Sequence, residues 1–266
     1  MTTNRTALIT GASTGLGAVY ADRLARRGDN LILVARDARR MEALAEKLRG
    51  ETGVTVEVLP ADLTNRADVA RIEARLATDP AITMLVNNAG MSLNNGLLDS
   101  ETAQIEQLIA LNITAPTLLA SAAGKAFVAR GAGAIITIAS VLALAPELFD
   151  GVYSGSKAFV LNLSQSLANQ IEAKGVRVQA VLPGATRTEI WERSGKDIDA
   201  FPPEMVMDAG DLVDAALLGF DRGETVTIPP LADEGQWTAF LEARHAMGPG
   251  LSRREVAPRY RESVPA

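Results

Sequence analysis

The chain has 266 residues, 47% hydrophobic and 22% charged, an ordinary globular composition that suits one large α/β domain or two small ones. Its 32 acidic against 26 basic residues give a net charge of -6, which speaks against a general nucleic-acid binder and leaves no basic tract for a membrane surface. With no cysteine and one histidine, His245, disulfides, thiolate nucleophiles, cysteine-bound metals and a His-His pair are excluded, so no metal site is expected.

The amino terminus, Met1 to Arg5, shows no charged lead with a long apolar stretch behind it. No uninterrupted apolar run approaches the ~18 residues of a membrane span, so a cytoplasmic protein without membrane association is expected. Thr6 to Thr10 reads as a short strand, followed at once by Gly11-Ala-Ser-Thr-Gly15-Leu-Gly17 and an apolar-periodic helix from Leu16 through Leu24. A glycine turn between a strand and a helix lets backbone N–H groups approach a pyrophosphate where the helix dipole favours an anion. Gly11 would permit the tight turn and Gly17 the close packing of helix on strand. Glycines at this spacing also occur in plain loops, and the position after the first strand is what favours a dinucleotide.

Leu31 to Ala35 is a continuous apolar run of the kind a doubly covered parallel strand requires, and a helix over about 38–48 follows. The strand closes on Ala35-Arg36-Asp37. An acidic residue there would bond a ribose 2'-hydroxyl, whereas an arginine suits a 2'-phosphate, so Arg36 favours NADP(H) over NAD(H), with Asp37 the contrary signal. Val54 to Leu59 is a third strand that delivers Asp62 and Leu63; Asp62 would meet adenine or cap the helix over about 66–76. Ile82 to Val86 is a fourth strand, ending in Asn87-Asn88-Ala89-Gly90. A long helix over about 101–130, broken or bent near Pro116, carries Asn112 in an apolar run, where it is either bonded to a nearby loop or part of a proton path. Gly133 to Ala139 is a fifth strand with Ser140 at its carboxyl end. Tyr153 and Lys157 then lie at i and i+4 on a helix over about 153–174, and the cation is expected to lower the phenol's pKa. Val176 to Leu182 is a sixth strand, closed by Pro183-Gly184 with Thr188 beyond, and Glu224 to Ile228 a seventh. No composition break marks a second domain, and one domain over 1–266 is expected.

Together, Thr10-Gly-Ala-Ser-Thr-Gly-Leu-Gly17, Asp62-Leu63, Asn87-Asn-Ala-Gly90, Asn112, Ser140, Tyr153-x-x-x-Lys157 and Pro183-Gly184 with Thr188 resemble the short-chain dehydrogenase/reductase family over residues 6–190. The wording LILVARDARRMEAL and the long carboxyl-terminal extension are similar to a bacterial branch of it. The resemblance implies a Rossmann-like, doubly wound sheet of seven parallel strands in a three-layer α/β/α fold, and a nicotinamide cofactor. It implies a catalytic set of Asn112, Ser140, Tyr153 and Lys157. Dinucleotide contacts are expected from Gly11, Ser13, Thr14, Gly15, Leu16, Gly17, Arg36, Asp62, Leu63, Asn88, Ala89, Gly90, Tyr153, Lys157, Pro183, Gly184 and Thr188. The irregular segment 186–210 is expected to cover the substrate, with Met91, Leu142, Leu148, Phe149, Ile190 and Trp191 as pocket residues, which hints at an apolar substrate.

The expected activity is hydride transfer between NADPH and a small-molecule carbonyl or secondary alcohol, in a homodimer or homotetramer. A 3-oxoacyl-thioester reductase ranks lower, because an acidic carrier protein would want a basic patch and the 99–130 stretch offers only Lys125 and Arg130. A non-catalytic NADP-binding regulator is the alternative of another class, disfavoured by the intact four-residue set. Sugar epimerases and dehydratases, with a longer substrate domain and different glycine spacing, rank last. Past Pro229-Pro230, a helix over about 233–247 with Trp237, Phe240 and Leu241 would cover a sheet edge or meet another subunit. A basic tail with Arg253, Arg254, Arg259 and Arg261 would be solvated, and His245 has no assigned role.

Overall fold

A computed structural model describes residues 5–261; the amino-terminal stretch read above for a leader lies outside them except for Arg5. The chain forms two compact units, Met1–Pro230 and Leu231–Ala266. In the first, seven parallel strands order as β3-β2-β1-β4-β5-β6-β7, with β1 Thr6–Thr10, β2 Asn30–Ala35, β3 Val56–Pro60, β4 Ile82–Asn87, β5 Gly133–Ile138, β6 Val176–Val181 and β7 Val226–Thr227. The helices are α1 Gly15–Arg26, α2 Ala38–Thr52, α3 Arg66–Thr78, α4 Thr102–Ile109, α5 Ala115–Arg130, α6 Gly151–Ile171, the single turn α7 Ile190–Arg193, and α8 Ala209–Arg222. The second unit holds α9 Glu234–Met247, on which Trp237 and Phe240 stack with centroids 5.3 Å apart.

Continuous apolar strands arise because both faces are buried and successive side chains alternate between them. Ala7 and Ile9 of β1, Leu31 and Leu33 of β2 and Ile136 of β5 join one core with Tyr20, Leu24, Met41, Leu48 and Leu212. Leu8, Ile32, Val34 and Ile135 join the opposite core with Val69, Ile72, Leu76, Leu119 and Phe127. The strand order reverses beside β1, whose neighbours are β2 and β4. At such a switch point, the carboxyl ends of the strands leave a crevice for a ligand.

One expectation needs correcting, and two features of the long helix sharpen others. The seventh strand is two residues long, because it is an edge paired only with Ala180 and Val181 of β6, and Pro229 and Pro230 cannot extend its ladder. The long helix is interrupted one turn before Pro116, where Ala110–Thr114 widens into a π-turn closed by the Ala115 N–H on the Ala110 carbonyl. Proline 116 has no N–H, so Asn112 O loses its α-helical i+4 donor and the wider turn absorbs the mismatch. Finally, the helical run Thr102–Arg130 is long and apolar enough to cross a membrane by length and composition. Its α5 portion buries Leu119, Ala123 and Phe127 in the protein's core, which accounts for the apolarity.

Candidate active site

Thr10, at the carboxyl end of β1, is 1% exposed and fastens β1 to β4. Its hydroxyl donates to Val86 O (3.3 Å) and accepts from the N–H groups of Asn88 and Ala89, both at 3.0 Å. The Asn88 amide returns the tie, donating to Thr10 O (2.9 Å) and Gly11 O (3.3 Å). The turn that follows is built for glycine. Gly11 has φ +66°, and a Cβ there would lie 2.8 Å from Asn88 Nδ2 and 2.9 Å from Ala89 Cα. A Cβ on Gly17 would lie 2.5 Å from Asn88 Nδ2 and closer still to the Gly11 carbonyl. Ser13, Thr14 and Leu16 are half-buried along this turn. Thr14 starts α1 in extended conformation without a side-chain cap, and the first turn carries no acidic residue. A 12-residue helix thus presents uncapped N–H groups beside a backbone cradle that any Cβ would fill, a fit for a dinucleotide pyrophosphate.

At the end of β2, Arg36 is exposed. Asp37, the contrary signal, is occupied: its Oδ1 accepts from Arg40 N (3.0 Å) and caps α2. Asp62 does not cap the helix after it. Its Oδ1 accepts from the Thr64 N–H and hydroxyl (2.9 and 2.8 Å), while Asn65 caps α3. Leu63 is buried beside it.

The π-turn fixes Asn112, whose side chain clasps the backbone of Met91 by accepting from its N–H (2.9 Å) and donating to its carbonyl (2.8 Å). The other amide hydrogen goes to Ser156 Oγ at 3.1 Å. Of the two sequence readings, the side chain takes the loop-bonding one. Asn112 Oδ1 and Lys157 Nζ each lie 3.4 Å from the point where a Gly90 Cβ would stand, so these three residues meet.

Ser140 is buried at the end of β5, close enough to the Tyr153 hydroxyl to influence its ionisation, and its Oγ accepts from Leu142 N (3.1 Å). Asp150 sets the start of α6, its Oδ1 accepting from both Val152 N and Tyr153 N at 2.9 Å. One turn on, Lys157 is buried, donates to Ile138 O at 2.9 Å and has its Nζ 5.6 Å from the Tyr153 ring centroid. The phenol does not move in the expected direction. Burial pushes Tyr153 up to about 12, the neighbouring Ser140 hydroxyl opposes this, and the Asp150 charge adds to it. The reason is placement: Lys157 faces the ring and the Ile138 carbonyl, and its own loss of water pushes it down to about 8.

Pro183 O accepts from Val141 N (2.9 Å), tying the loop after β6 to the one after β5. Gly184 lies in the same loop, and Thr188 lies over the glycine turn, 3.4 Å from where a Gly15 Cβ would be. Of the pocket candidates, Phe149 packs edge-on against Tyr153 (5.6 Å). Met91 and Leu142 are fixed by Asn112 and Ser140, Ile190 is half-buried, and Leu148 is 70% exposed. Trp191 is an anchor within its own segment, donating to Thr186 O (2.8 Å) and packing on Phe201 (5.1 Å). Sequence reasoning passed over Asp150, an ordinary N-cap signal, and Lys196, which donates to Leu93 O (2.8 Å) and sits 3.9 Å over the Phe149 ring.

Residues 5–199 match the model of the short chain dehydrogenase family. A short-chain dehydrogenase from Sphingobium yanoikuyae, solved in complex with NADPH, is 52% identical with a TM-score of 0.94, covering 97% of this chain and 100% of that one. The bulky-bulky ketone specific alcohol dehydrogenase from Comamonas testosteroni is 47% identical with a TM-score of 0.90, covering 97% and 99%. Among curated proteins, human 17-beta-hydroxysteroid dehydrogenase type 3 is 37% identical over 186 residues, which are 68% of this chain and 59% of that protein's length. The chain belongs to the short chain dehydrogenases, oxidoreductases that interconvert CH–OH and C=O groups.

Proposed function

We propose that the protein is an NADP(H)-dependent ketone reductase, or alcohol dehydrogenase in reverse, acting on a bulky apolar carbonyl. The observation that carries this is the Ser140–Tyr153 hydroxyl pair with Lys157 buried behind it, at the same sheet edge as the glycine cradle. The cradle and the α1 terminus would hold the pyrophosphate, Arg36 the 2'-phosphate, Asp62 and Leu63 the adenine side. Asn88, Ala89, Gly90, Tyr153, Lys157, Pro183, Gly184 and Thr188 would line the nicotinamide half. When bound, the cofactor supplies the hydride.

The protein's own groups manage the proton. Tyr153, held neutral by burial, is an acid that can donate its proton to the substrate oxygen as negative charge grows there. The Ser140 hydroxyl orients and polarises that oxygen. Lys157 keeps a positive charge behind the phenol below about pH 8. Asn112 holds the Met91 loop against α6 through Ser156, and would support a water that refills the proton. A bulky apolar substrate is supported by Phe149 packed against the Tyr153 ring and by the similarity to the Comamonas alcohol dehydrogenase, which is specific for bulky-bulky ketones.

The test is NADPH oxidation against ketones of graded bulk, quinones, steroids and 3-oxoacyl thioesters; binding of NADPH without turnover of any of them would favour the regulator instead. Two outcomes are specific to named residues. Arg36→Ala should weaken NADPH by about tenfold and leave NADH nearly unchanged, and an equal loss for both would refute the phosphate role. Ketone reduction should be flat below about pH 8 and fall above it as Lys157 loses its proton, by about tenfold per pH unit. Lys157→Arg, which keeps its charge, should carry that fall to higher pH. An unmoved profile would take Lys157 out of it.

A further inference from the structure

The ion pairs at the mouth of the dinucleotide crevice link three parts of the chain that are far apart in sequence. Glu189, just before α7, accepts from Arg40 Nη1 through both carboxylate oxygens, at 3.1 and 2.8 Å. Its Oε2 also accepts from Arg193 Nη2 at 2.7 Å, and the same nitrogen donates to Thr14 Oγ1 at 3.1 Å. Arg40 stands on the first turn of α2, four residues beyond Arg36, and Thr14 is the residue before α1. A single carboxylate is therefore shared by two guanidinium groups where the turn after β2 faces the glycine turn. Its partners decide its ionisation: burial alone would raise Glu189, and Arg40 with Arg193 outweighs that and holds it below the usual range.

We propose that Glu189 is an in-chain competitor for the cofactor's 2'-phosphate, with Arg40 as a second specificity-determining residue beside Arg36. This rests on the NADP(H) reading above. A phosphate monoester brings a charge of about -1.5 to -2 and three acceptor oxygens, against one shared charge on Glu189 and the Asp37 carboxylate, 3.5 Å from Arg40 Nε. The Arg40–Glu189 pair is half exposed, with side-chain exposures of 47% and 38%, so it is weak and easily surrendered. Arg193 stays on Glu189 when Arg40 leaves, so the carboxylate is not stranded. A cofactor without the 2'-phosphate leaves the pair in place. Selectivity then arises from two sources, attraction to Arg36 and release of Arg40, and the second is tuned by a residue outside the cofactor-binding motifs.

Calorimetric titration of NADPH, NADH, 2',5'-ADP and 5'-AMP tests this without turnover. Glu189→Gln should tighten NADPH and 2',5'-ADP by about three- to five-fold and leave NADH and 5'-AMP within error, as expected when an exposed competing charge is removed. Arg40→Met should weaken the phosphorylated ligands alone by about tenfold, and Glu189→Gln in that background should change nothing further. Equal effects on both cofactors, or an undiminished Glu189→Gln effect without Arg40, would overturn the proposal. A wild type that binds NADH as tightly as NADPH would overturn the NADP(H) reading and this with it. If the wild type prefers NADPH, and Arg36→Ala removes that preference while Arg40→Met and Glu189→Gln leave it unmoved, this inference alone falls.

Discussion

Tyr153→Phe should lower the turnover of ketone reduction by about 10²- to 10⁴-fold, the usual worth of a positioned proton donor. The change deletes one oxygen and little else. The ring keeps its edge contact with Phe149 at 5.6 Å and stays 5.6 Å from the Lys157 ammonium. Lys157 keeps its bond to Ile138 O, and Ser140 Oγ keeps the Leu142 N–H. NADPH affinity should fall by no more than about tenfold, the worth of one neutral hydrogen bond, and stability by about 1 kcal/mol or less. Steady-state kinetics and a calorimetric titration separate the two effects. Near-normal turnover would remove Tyr153 from the mechanism; a collapse of NADPH binding would instead make its main role structural. The contrast with Asn112 is useful, because Asn112 spends its whole side-chain amide on Met91 and Ser156, and its loss would disturb a loop as well as a proton path.

The sheet was legible because its cause is local. The central strands bury both faces, so Leu31 to Ala35 and Gly133 to Ala139 declare themselves as apolar runs bounded by turns. The proposed catalytic set was legible for a related reason: an i, i+4 pair on a helix and a serine at a strand end are fixed by short stretches of chain. What stayed hidden depends on partners far along the sequence. The spacing of Tyr153 and Lys157 puts them on one face, but the ammonium turns to the Ile138 carbonyl, 19 residues away, and so the phenol's shift is set by burial. Pro116 announces a break in the helix but not its form, a π-turn over Ala110–Thr114 that sets Asn112 against Met91, 21 residues away. The shared carboxylate of Glu189 joins Arg40 across 149 positions, and no local pattern marks it. Asp150 is different, since an aspartate before a helix is a readable cap.

Gly17→Ala should cost about 1–2 kcal/mol of stability and about 100-fold in NADPH-supported turnover, although helix propensity alone argues the other way. Gly17 is the third residue of α1, and alanine is favoured over glycine inside a helix by about 0.5–1 kcal/mol. Space decides against it. The new Cβ would meet the Gly11 carbonyl and lie 2.5 Å from Asn88 Nδ2, and the first of these is backbone that cannot rotate away. Overpacking of this kind costs about 1–3 kcal/mol, and relief requires α1 to move off the ends of β1 and β4. That motion would break the Asn88 bonds to Thr10 O and Gly11 O, which shape the cradle, and a misplacement of about 1 Å costs about 100-fold in rate. Gly50 is the control. It lies in α2, is exposed, and has nothing within 4 Å of its would-be Cβ, so Gly50→Ala should raise stability by about 0.5–1 kcal/mol. Thermal unfolding of the two variants should therefore shift in opposite directions, by about 2–4 °C per kcal/mol. A Gly17→Ala protein that is stabilised like Gly50→Ala and still binds NADPH would show that the close approach of α1 to the β1 turn is not what shapes the cofactor site.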